Sequence, residues 1–185
     1  MSLHASVVAT LRDWTAPDSG QDALRHAVLA FLDARPDACQ RACVPGHITA
    51  SALVLSGEQV LLTLHPRLGR WVQLGGHCEA EDPDILAAAL REATEESGIE
   101  GLRIDPQLAA IHVHPLTCSL GVPTRHLDLQ FLAHAPAGAE IAMSDESLDL
   151  KWWPIDALPS GIDPGLTGLV AAATRRWSTG SRSPG

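Results

Sequence analysis

Three glutamates at helical spacing, directly after a glycine-rich acidic loop, constrain this chain more than any other feature. Residues 75–99 have the sequence GGHCEAEDPDILAAALREATEESGI. On a helix, Glu92, Glu95 and Glu96 lie three and four positions apart, so their side chains meet on one surface. Carboxylates placed so close repel one another, and a divalent cation such as Mg²⁺, which prefers carboxylate and phosphate oxygens, would remove the conflict. The segment therefore predicts phosphoanhydride chemistry, against the alternative of a solvated acidic helix face.

The helix that carries these glutamates is predicted to begin with Asp82 as its N-cap and Pro83 in the first helical position. Arg91 precedes Glu95 by four residues, which is within reach of an ion pair. The small Ala88 is predicted on the acidic side of the helix, where it leaves room for a ligand. The opposite side, predicted to face the core, consists of Leu86, Leu90, Ala93 and Ser97.

The segment resembles the Nudix box, G-x5-E-x7-R-E-U-x-E-E-x-G-U, in which U is an aliphatic residue. The positions that match its second half at fixed spacing are Arg91, Glu92, Glu95, Glu96, Gly98 and Ile99. The first half is one residue longer than the pattern, so strict counting back from Arg91 puts Pro83 where the pattern has a glutamate. A longer loop would let Asp82 or Glu81 take that role.

The resemblance implies an α/β fold, a Nudix-like α/β/α sandwich around a mixed β-sheet, here with an N-terminal helical extension. It implies hydrolysis of a nucleoside diphosphate linked to a moiety X, with Mg²⁺ or Mn²⁺ as the cofactor. The metal ligands that it implies are Gly76, Glu92, Glu95, Glu96 and, in a late loop, Glu146. Glu92 and Glu95 take catalytic roles, and Arg91 orients the glutamates by charge-assisted hydrogen bonds. The expected partner is a small nucleotide-type substrate, and many relatives pair as homodimers.

Further side chains are candidates for substrate binding, namely His77, Arg67, Arg70, His126, Asp128 and Trp153. Alternation along residues 125–131 puts His126 and Asp128 on one polar strand face, which suits substrate binding or simply faces solvent. Trp153 would stack on a base or pack in the core. Glu146 has its own alternatives, since Asp145 is the next metal-ligand candidate and a turn role would explain either residue.

Hydrophobic patterning divides the chain into three parts. Residues 1–45 are predicted as a helical extension packed on the domain, residues 46–178 as the Nudix domain, and residues 179–185 as a flexible tail. The predicted helices cover residues 4–15, 20–34 and 165–177, and the predicted strands outside the box cover residues 49–55, 59–64, 71–74, 109–113, 124–134 and 149–153.

Composition excludes several classes of function. The net charge of -9 and the pI of about 5.3 argue against a surface for extended nucleic acid, whose phosphates select basic patches. No apolar run reaches the roughly 20 residues that a membrane helix needs. The first residues lack the pattern of a secretion signal, so a cytoplasmic location is expected.

The cysteines and histidines offer weaker signals. Cys39, Cys43 and His47 allow a zinc site, but free thiols in a reducing cytosol are the preferred interpretation. Most of the nine histidines are expected at the edge of the core or on the surface. His77 is the exception, because its place between the loop and the acidic helix suits phosphate contact or proton transfer.

Two other functions remain open at this point. A Nudix-like domain can also isomerise a prenyl diphosphate with an acidic residue and a cysteine, for which Glu146 and Cys118 are the candidates. Such a domain can also sense nucleotides without turnover. Sensing domains often lose box carboxylates, however, whereas Glu92, Glu95 and Glu96 are all present here. The intact pattern from Arg91 to Glu96 therefore favours hydrolysis.

Overall fold

A central parallel pair of strands organises this fold, seen in a computed structural model that describes residues 1–117, 121–144 and 147–180. The strands of the described residues are β1 (His47–Ser56), β2 (Gln59–His65), β3 (Arg70–Val72), β4 (Leu74–His77), β5 (Arg103–Ile104), β6 (Ala110–Thr117), β7 (Pro123–His134) and β8 (Asp149–Pro154). The helices are α1 (Leu3–Asp13), α2 (Ser19–Ala34), α3 (Ile85–Ser97) and α4 (Pro164–Gly180).

All eight strands belong to one mixed sheet. The longest pairing is the parallel one of β1 with β7, which runs from His47 opposite His126 to Leu55 opposite His134. The other pairings are antiparallel, with β4 and β2 against β1, β6 and β5 against β7, and β3 and β8 against β2. The β1–β2 hairpin turns at Gly57, whose φ of 54° lies in the left-handed region that suits glycine. The strands predicted at residues 49–55 and 59–64 therefore lie in β1 and β2, which this turn joins.

Helices cover the two faces of this sheet. On one face, Ile48, Leu129 and Phe131 share a buried cluster with side chains of α1, α2 and α3. On the other face, Leu53 and Leu132 pack against α4 in a second cluster. This arrangement is an α/β/α sandwich around a mixed sheet, as predicted. Among the described residues, no helix is at once long enough and apolar enough to cross a lipid bilayer.

The N-terminal helices share the domain's own core. Val7 of α1 and Val28 of α2 are buried in the same cluster as the central strands. The Ile85 N–H at the start of α3 donates to the Ser6 hydroxyl at 3.1 Å. The side chain of Gln21 pairs with the backbone of Ile111 in β6, donating to its carbonyl at 3.0 Å and accepting from its N–H at 2.7 Å.

We expect Gln21→Ala to lower the free energy of unfolding by about 1–3 kcal/mol, because it leaves the buried N–H and C=O of Ile111 without these partners. Urea unfolding followed by circular dichroism measures the change. Gln107→Ala, at an exposed glutamine, is the matched control. Equal unfolding midpoints for the two variants would show that Gln21 does not hold α2 on β6.

Several boundaries differ from the prediction. The helix α3 begins at Ile85 with Asp84 as its N-cap, accepting from the Ala87 N–H at 2.8 Å, so the N-cap predicted at Asp82 is wrong. The Asp82 carboxylate instead accepts from the Glu79 N–H at 2.8 Å, which holds it in the preceding turn. The last helix continues to Gly180, so the predicted tail begins in helix. Residues 181–185 lie outside the described residues.

Candidate active site

The acidic end of α3 packs against the two glycines of β4. A Cβ added at Gly76 would lie 2.6 Å from Oε2 of Glu92, so only glycine leaves room for that carboxylate. The Gly75 N–H donates to Oε2 of Glu96 at 3.0 Å. Glu92 and Glu96 therefore contact the same short backbone segment. The side chain of Glu92 is 13 % exposed, and Glu96 as a whole residue is 8 % exposed.

The spacing predicts that the carboxylates lie on the side of α3 opposite the core, and this prediction is wrong for Glu92 and Glu96. Ile85, Ala89, Glu92 and Glu96 follow one another at helical spacing and are all buried or half-buried. Ala88 packs within the core cluster, so its predicted place beside a ligand is wrong. The first half of this stripe meets apolar side chains, whereas its second half meets the glycines of β4. The absence of a side chain at Gly76 leaves space for the Glu92 carboxylate, and the Gly75 N–H accommodates the charge of Glu96.

Arg91 joins four parts of the site through hydrogen bonds. Its guanidinium donates to Asp82 through Nε and Nη2, each at 3.0 Å, and to the His77 carbonyl at 2.9 Å. Nη1 donates to Glu92 at 3.0 Å and to Glu95 at 3.2 Å. Charge-assisted bonds of this kind fix both partners in place. Arg91 therefore ties the loop before α3 to two of the three box glutamates.

Asp82 is the loop carboxylate that contacts Arg91. Its residue is 8 % exposed, whereas Glu81 is on the surface. Burial raises the pKa of Asp82, but the hydrogen bonds from Arg91 and from the Glu79 N–H outweigh burial and leave that pKa below its ordinary value. The hydrogen bond to Asp82 and, after it, the bond to Glu92 raise the pKa of Arg91. Of the two residues predicted for the missing box glutamate, the geometry favours Asp82.

The box glutamates Glu95 and Glu96 are held by different partners. Glu95 is 60 % exposed and contacts Arg91, while Glu96 contacts β4. In the described ranges, one group of three or more ligand-type side chains has its ligand atoms within 4.8 Å of one another, and that group consists of histidines and not of these glutamates.

The polar strand face predicted on β7 is buried, so its solvent-facing alternative is wrong. Asp128 is 4 % exposed, and its carboxylate accepts hydrogen bonds from four side chains. Its donors are Thr49 at 3.0 Å, Ser51 at 2.7 Å, Gln73 at 3.2 Å and Gln130 at 3.1 Å. The role in substrate binding stays a prediction for Asp128, and a substrate would have to compete with these donors.

His77 and His126 lie on this same buried face. Burial, reinforced by nearby cationic groups, lowers the pKa of His77 to about 4 and that of His126 to about 3. Burial also lowers the pKa of His47, at the start of β1. The imidazoles are therefore neutral near pH 7. Substrate binding by His77 and His126 stays a prediction, and as neutral rings they would meet phosphate as hydrogen-bond donors and not as cations.

The remaining predicted residues lie farther along the sheet or outside the described residues. Arg70 on β3 lies 3.7 Å from Asp163, and Arg67 is exposed in the turn before β3. Trp153 packs in the cluster beneath α4 and meets Trp71 edge to face, with ring centroids 5.3 Å apart. The substrate roles of these residues stay predictions. Glu146, Asp145 and Cys118, the candidates for a late metal ligand and for isomerase chemistry, lie outside the described residues.

The prediction that most histidines lie at the edge of the core or on the surface did not anticipate that four of them form a cluster. His47 and His114 lie with His77 and His126 on the buried polar face, with ring centroids about 5 Å apart. Part of the signal was present in the sequence, because His112 and His114 are two residues apart and alternation puts them on one face of β6. Their place opposite Asp128 and His126 depends on the register of β6 with β7. The zinc site predicted as an alternative at Cys39, Cys43 and His47 is not formed as a ligand group in the described part of the chain.

This chain is similar to known proteins in sequence and in fold. Residues 45–175 match the NUDIX domain family. An Ap4A hydrolase from C. elegans, solved as a binary complex, is 22% identical and aligns over 71% of this chain and 98% of its own with a TM-score of 0.55. A UDP-X diphosphatase is 16% identical and aligns over 95% of this chain and 97% of its own, also with a TM-score of 0.55. No curated protein matches the sequence.

A further solved structure, a NUDIX-family hydrolase from Clostridium perfringens, is 23% identical over 70% of this chain and 97% of its own, with a TM-score of 0.54. At such identities the structures establish a shared fold alone. The family match covers well over half of the sequence and includes the whole acidic helix. The chain therefore belongs to the Nudix hydrolase family.

Proposed function

We propose that this protein hydrolyses a phosphoanhydride bond in a nucleoside diphosphate linked to a moiety X, with Mg²⁺ or Mn²⁺ as the cofactor. The observation that carries the proposal is the packing of Glu92 and Glu96 against Gly75 and Gly76, with Arg91 holding Glu92 and Glu95. Charged side chains are rarely buried without a function or a partner. Here Gly76 makes room for the Glu92 carboxylate, and the Gly75 N–H donates to Glu96.

The donor set fits the cofactor that the family implies. The Glu92, Glu95 and Glu96 carboxylates and the Gly76 carbonyl offer oxygen alone, which suits Mg²⁺ and Mn²⁺ and disfavours softer metals. A Cβ at Gly76 would occupy the space of the Glu92 carboxylate. When bound, the metal would neutralise diphosphate oxygens and lower the pKa of a bound water. Glu146 stays a candidate for a further ligand.

The protein's own residues then have distinct roles. One oxygen of Glu92 accepts from Arg91 at 3.0 Å, and the other faces Gly76, so the carboxylate is oriented before any substrate arrives. We assign Glu92 as proton acceptor or metal ligand. As water adds to phosphorus, its proton passes to a carboxylate, and the bridging oxygen leaves with its electron pair on the second phosphate. Arg91 acts through the glutamates that it orients.

Product analysis after incubation with a substrate panel tests the function. The panel contains nucleoside triphosphates, nucleotide sugars, dinucleotides and coenzymes, each with Mg²⁺, with Mn²⁺ and with EDTA. Ap4A and UDP-linked compounds come first, because two structures of the same fold carry those names. We expect release of a nucleoside monophosphate and X-phosphate, with no reaction in EDTA. Tight nucleotide binding without turnover by any metal would instead support a sensing domain.

We expect Asp82→Asn to lower kcat by about 10- to 100-fold, the range seen when an outer hydrogen-bond partner of a metal ligand is removed. The amide turns a donor toward Arg91, which loosens the guanidinium that holds Glu92 and Glu95. Steady-state kinetics with the best substrate measures the loss. Glu81→Gln, at the exposed neighbour, is the control. Equal losses in the two variants would contradict the assignment of Asp82 to the missing box position.

A further inference from the structure

Three histidines from three neighbouring strands meet on the sheet face opposite α3. His47 opens β1 and is aligned with His126 of β7, while His77 of β4 is aligned with Thr49 of β1. Residues aligned across a sheet point to the same side. Ring centroids are 5.1 Å apart for His47 and His77, 4.9 Å for His47 and His126, and 5.0 Å for His77 and His126. We refer to these three residues as the histidine triplet.

The triplet has nitrogen atoms ready to accept a ligand. Each member offers a ring nitrogen that lies within 4.8 Å of those of the other two. Nε2 of His47, of His77 and of His126 is buried and has no hydrogen-bond partner among the described residues. His47 as a whole is 1 % exposed. Buried polar atoms are nearly always satisfied in native proteins, so three unsatisfied nitrogens in one cluster indicate a missing partner.

The surroundings of the rings suit a metal. Metal ligation uses an imidazole nitrogen whose lone pair is free. The Nδ1 atom of His47 lies 3.4 Å from the Cys43 carbonyl. A proton on Nδ1 that points to this carbonyl leaves the lone pair on Nε2, and such backbone contacts commonly orient metal-binding histidines. The charge of nearby Arg41 opposes a cation, whereas Asp128 on the same face favours one.

We propose that the histidine triplet binds one borderline divalent transition-metal ion, of which Zn²⁺ is the representative. Zn–N distances of about 2.0–2.1 Å in a tetrahedron place ligand nitrogens about 3.4 Å apart, so the rings need to approach by no more than about 1.4 Å. The fourth position is left for water or for His114, whose ring centroid lies 5.3 Å from that of His126. Three imidazoles with one open position are a set that Zn²⁺, Co²⁺ and Cu²⁺ accept readily.

This site is separate from the glutamates in place and in chemistry. Gly76 is aligned with Ala50, which packs in the cluster beneath α3, whereas His77 is aligned with Thr49 on the other face. Mg²⁺ prefers the oxygen donors of the glutamates and has little affinity for imidazole. The two sites can therefore be filled independently. The triplet would join β1, β4 and β7 at the end of the sheet where the apolar clusters give way to polar side chains.

Metal titration of the untagged, EDTA-treated full-length chain tests the proposal. The titration uses Glu95→Gln/Glu96→Gln protein in excess Mg²⁺, so that the acidic site does not contribute. Calorimetry measures Zn²⁺ stoichiometry, and the visible absorption of bound Co²⁺ reports its coordination number. We expect one equivalent of Zn²⁺ and the strong visible bands of four-coordinate Co²⁺. His126→Ala and His77→Ala should each weaken Zn²⁺ binding by at least 100-fold.

His134→Ala is the matched control, because this exposed histidine lies on the same strand and the same side as His126 but outside the triplet. It should bind Zn²⁺ as tightly as the Glu95→Gln/Glu96→Gln protein in which all variants are made. Circular dichroism confirms that each variant is folded, and His47→Gln provides a third variant of similar size. The proposal would be overturned if the Glu95→Gln/Glu96→Gln protein did not bind Zn²⁺. It would also be overturned if that protein and the triplet variants bound Zn²⁺ equally. Neither result bears on phosphoanhydride hydrolysis, which is measured separately with the wild-type chain.

Discussion

Glu95→Gln and Glu96→Gln should each lower kcat/KM by at least about 100-fold, equivalent to about 2.7 kcal/mol of transition-state stabilisation. Each substitution removes the charge of one oxygen ligand while preserving the size of the side chain. Carboxylates that bind a divalent ion counter the developing charge on phosphate through that ion, and a neutral amide does so poorly. Kinetics with the best substrate, over a range of Mg²⁺ concentrations, measures the loss.

The same two variants should keep their fold. Glu95 is 60 % exposed, and the oxygen of a glutamine at position 96 can still accept from the Gly75 N–H. Loss of like-charge repulsion leaves the urea midpoint without metal unchanged or slightly higher. Glu100→Gln, at an exposed acidic residue just beyond α3, is the control for charge alone. Activity near that of wild type in both variants would refute the metal role of these glutamates.

Gly76→Ala should lower activity by about 100-fold while leaving the protein folded. The added Cβ would lie 2.6 Å from Oε2 of Glu92 and must displace that carboxylate. Because the displaced atoms are the flexible end of a side chain, the cost to stability is small. A shift near 1 Å in a catalytic group lowers activity by about 100-fold. Kinetics and urea unfolding, measured on the same preparation, separate the two effects.

The neighbouring glycine should respond in the opposite way. A Cβ at Gly75, where φ is 152°, would lie 2.3 Å from the Ser51 Cβ and 2.6 Å from the Ala50 carbonyl. Backbone atoms cannot move aside easily, so Gly75→Ala should cost about 3 kcal/mol of stability. Gly168→Ala in α4 meets nothing within 4 Å and controls for the general effect of adding a methyl group. Similar stability losses at positions 75 and 76 would contradict this distinction.

Much of the fold could be predicted because its signals are local. The strands β1 and β2 follow from apolar runs on either side of Gly57, and α4 follows from its apolar spacing. The two-residue strand β5 carries no such signal. The start of α3 also escaped prediction, because Asp82 is a good N-cap by itself but its carboxylate is held by Arg91 and by the preceding turn.

The candidate site shows the same division between local and distant causes. The spacing of Arg91, Glu92, Glu95 and Glu96 is local, so the acidic helix and the Arg91 ion pairs could be anticipated. The burial of Glu92 and Glu96 could not, because it depends on which residues of β4 face the helix. The histidine triplet depends on three strands becoming neighbours, and one of those pairings is parallel.

The parallel pairing of β1 with β7 also bears on how quickly the chain can fold. Thr49 and Asp128, which it brings into contact, are 79 positions apart. A contact of such sequence separation forms only after a long loop has closed, and chains rich in these contacts fold slowly. Ribosomal synthesis delivers β1 well before its partner, so the central strand must wait with an open edge.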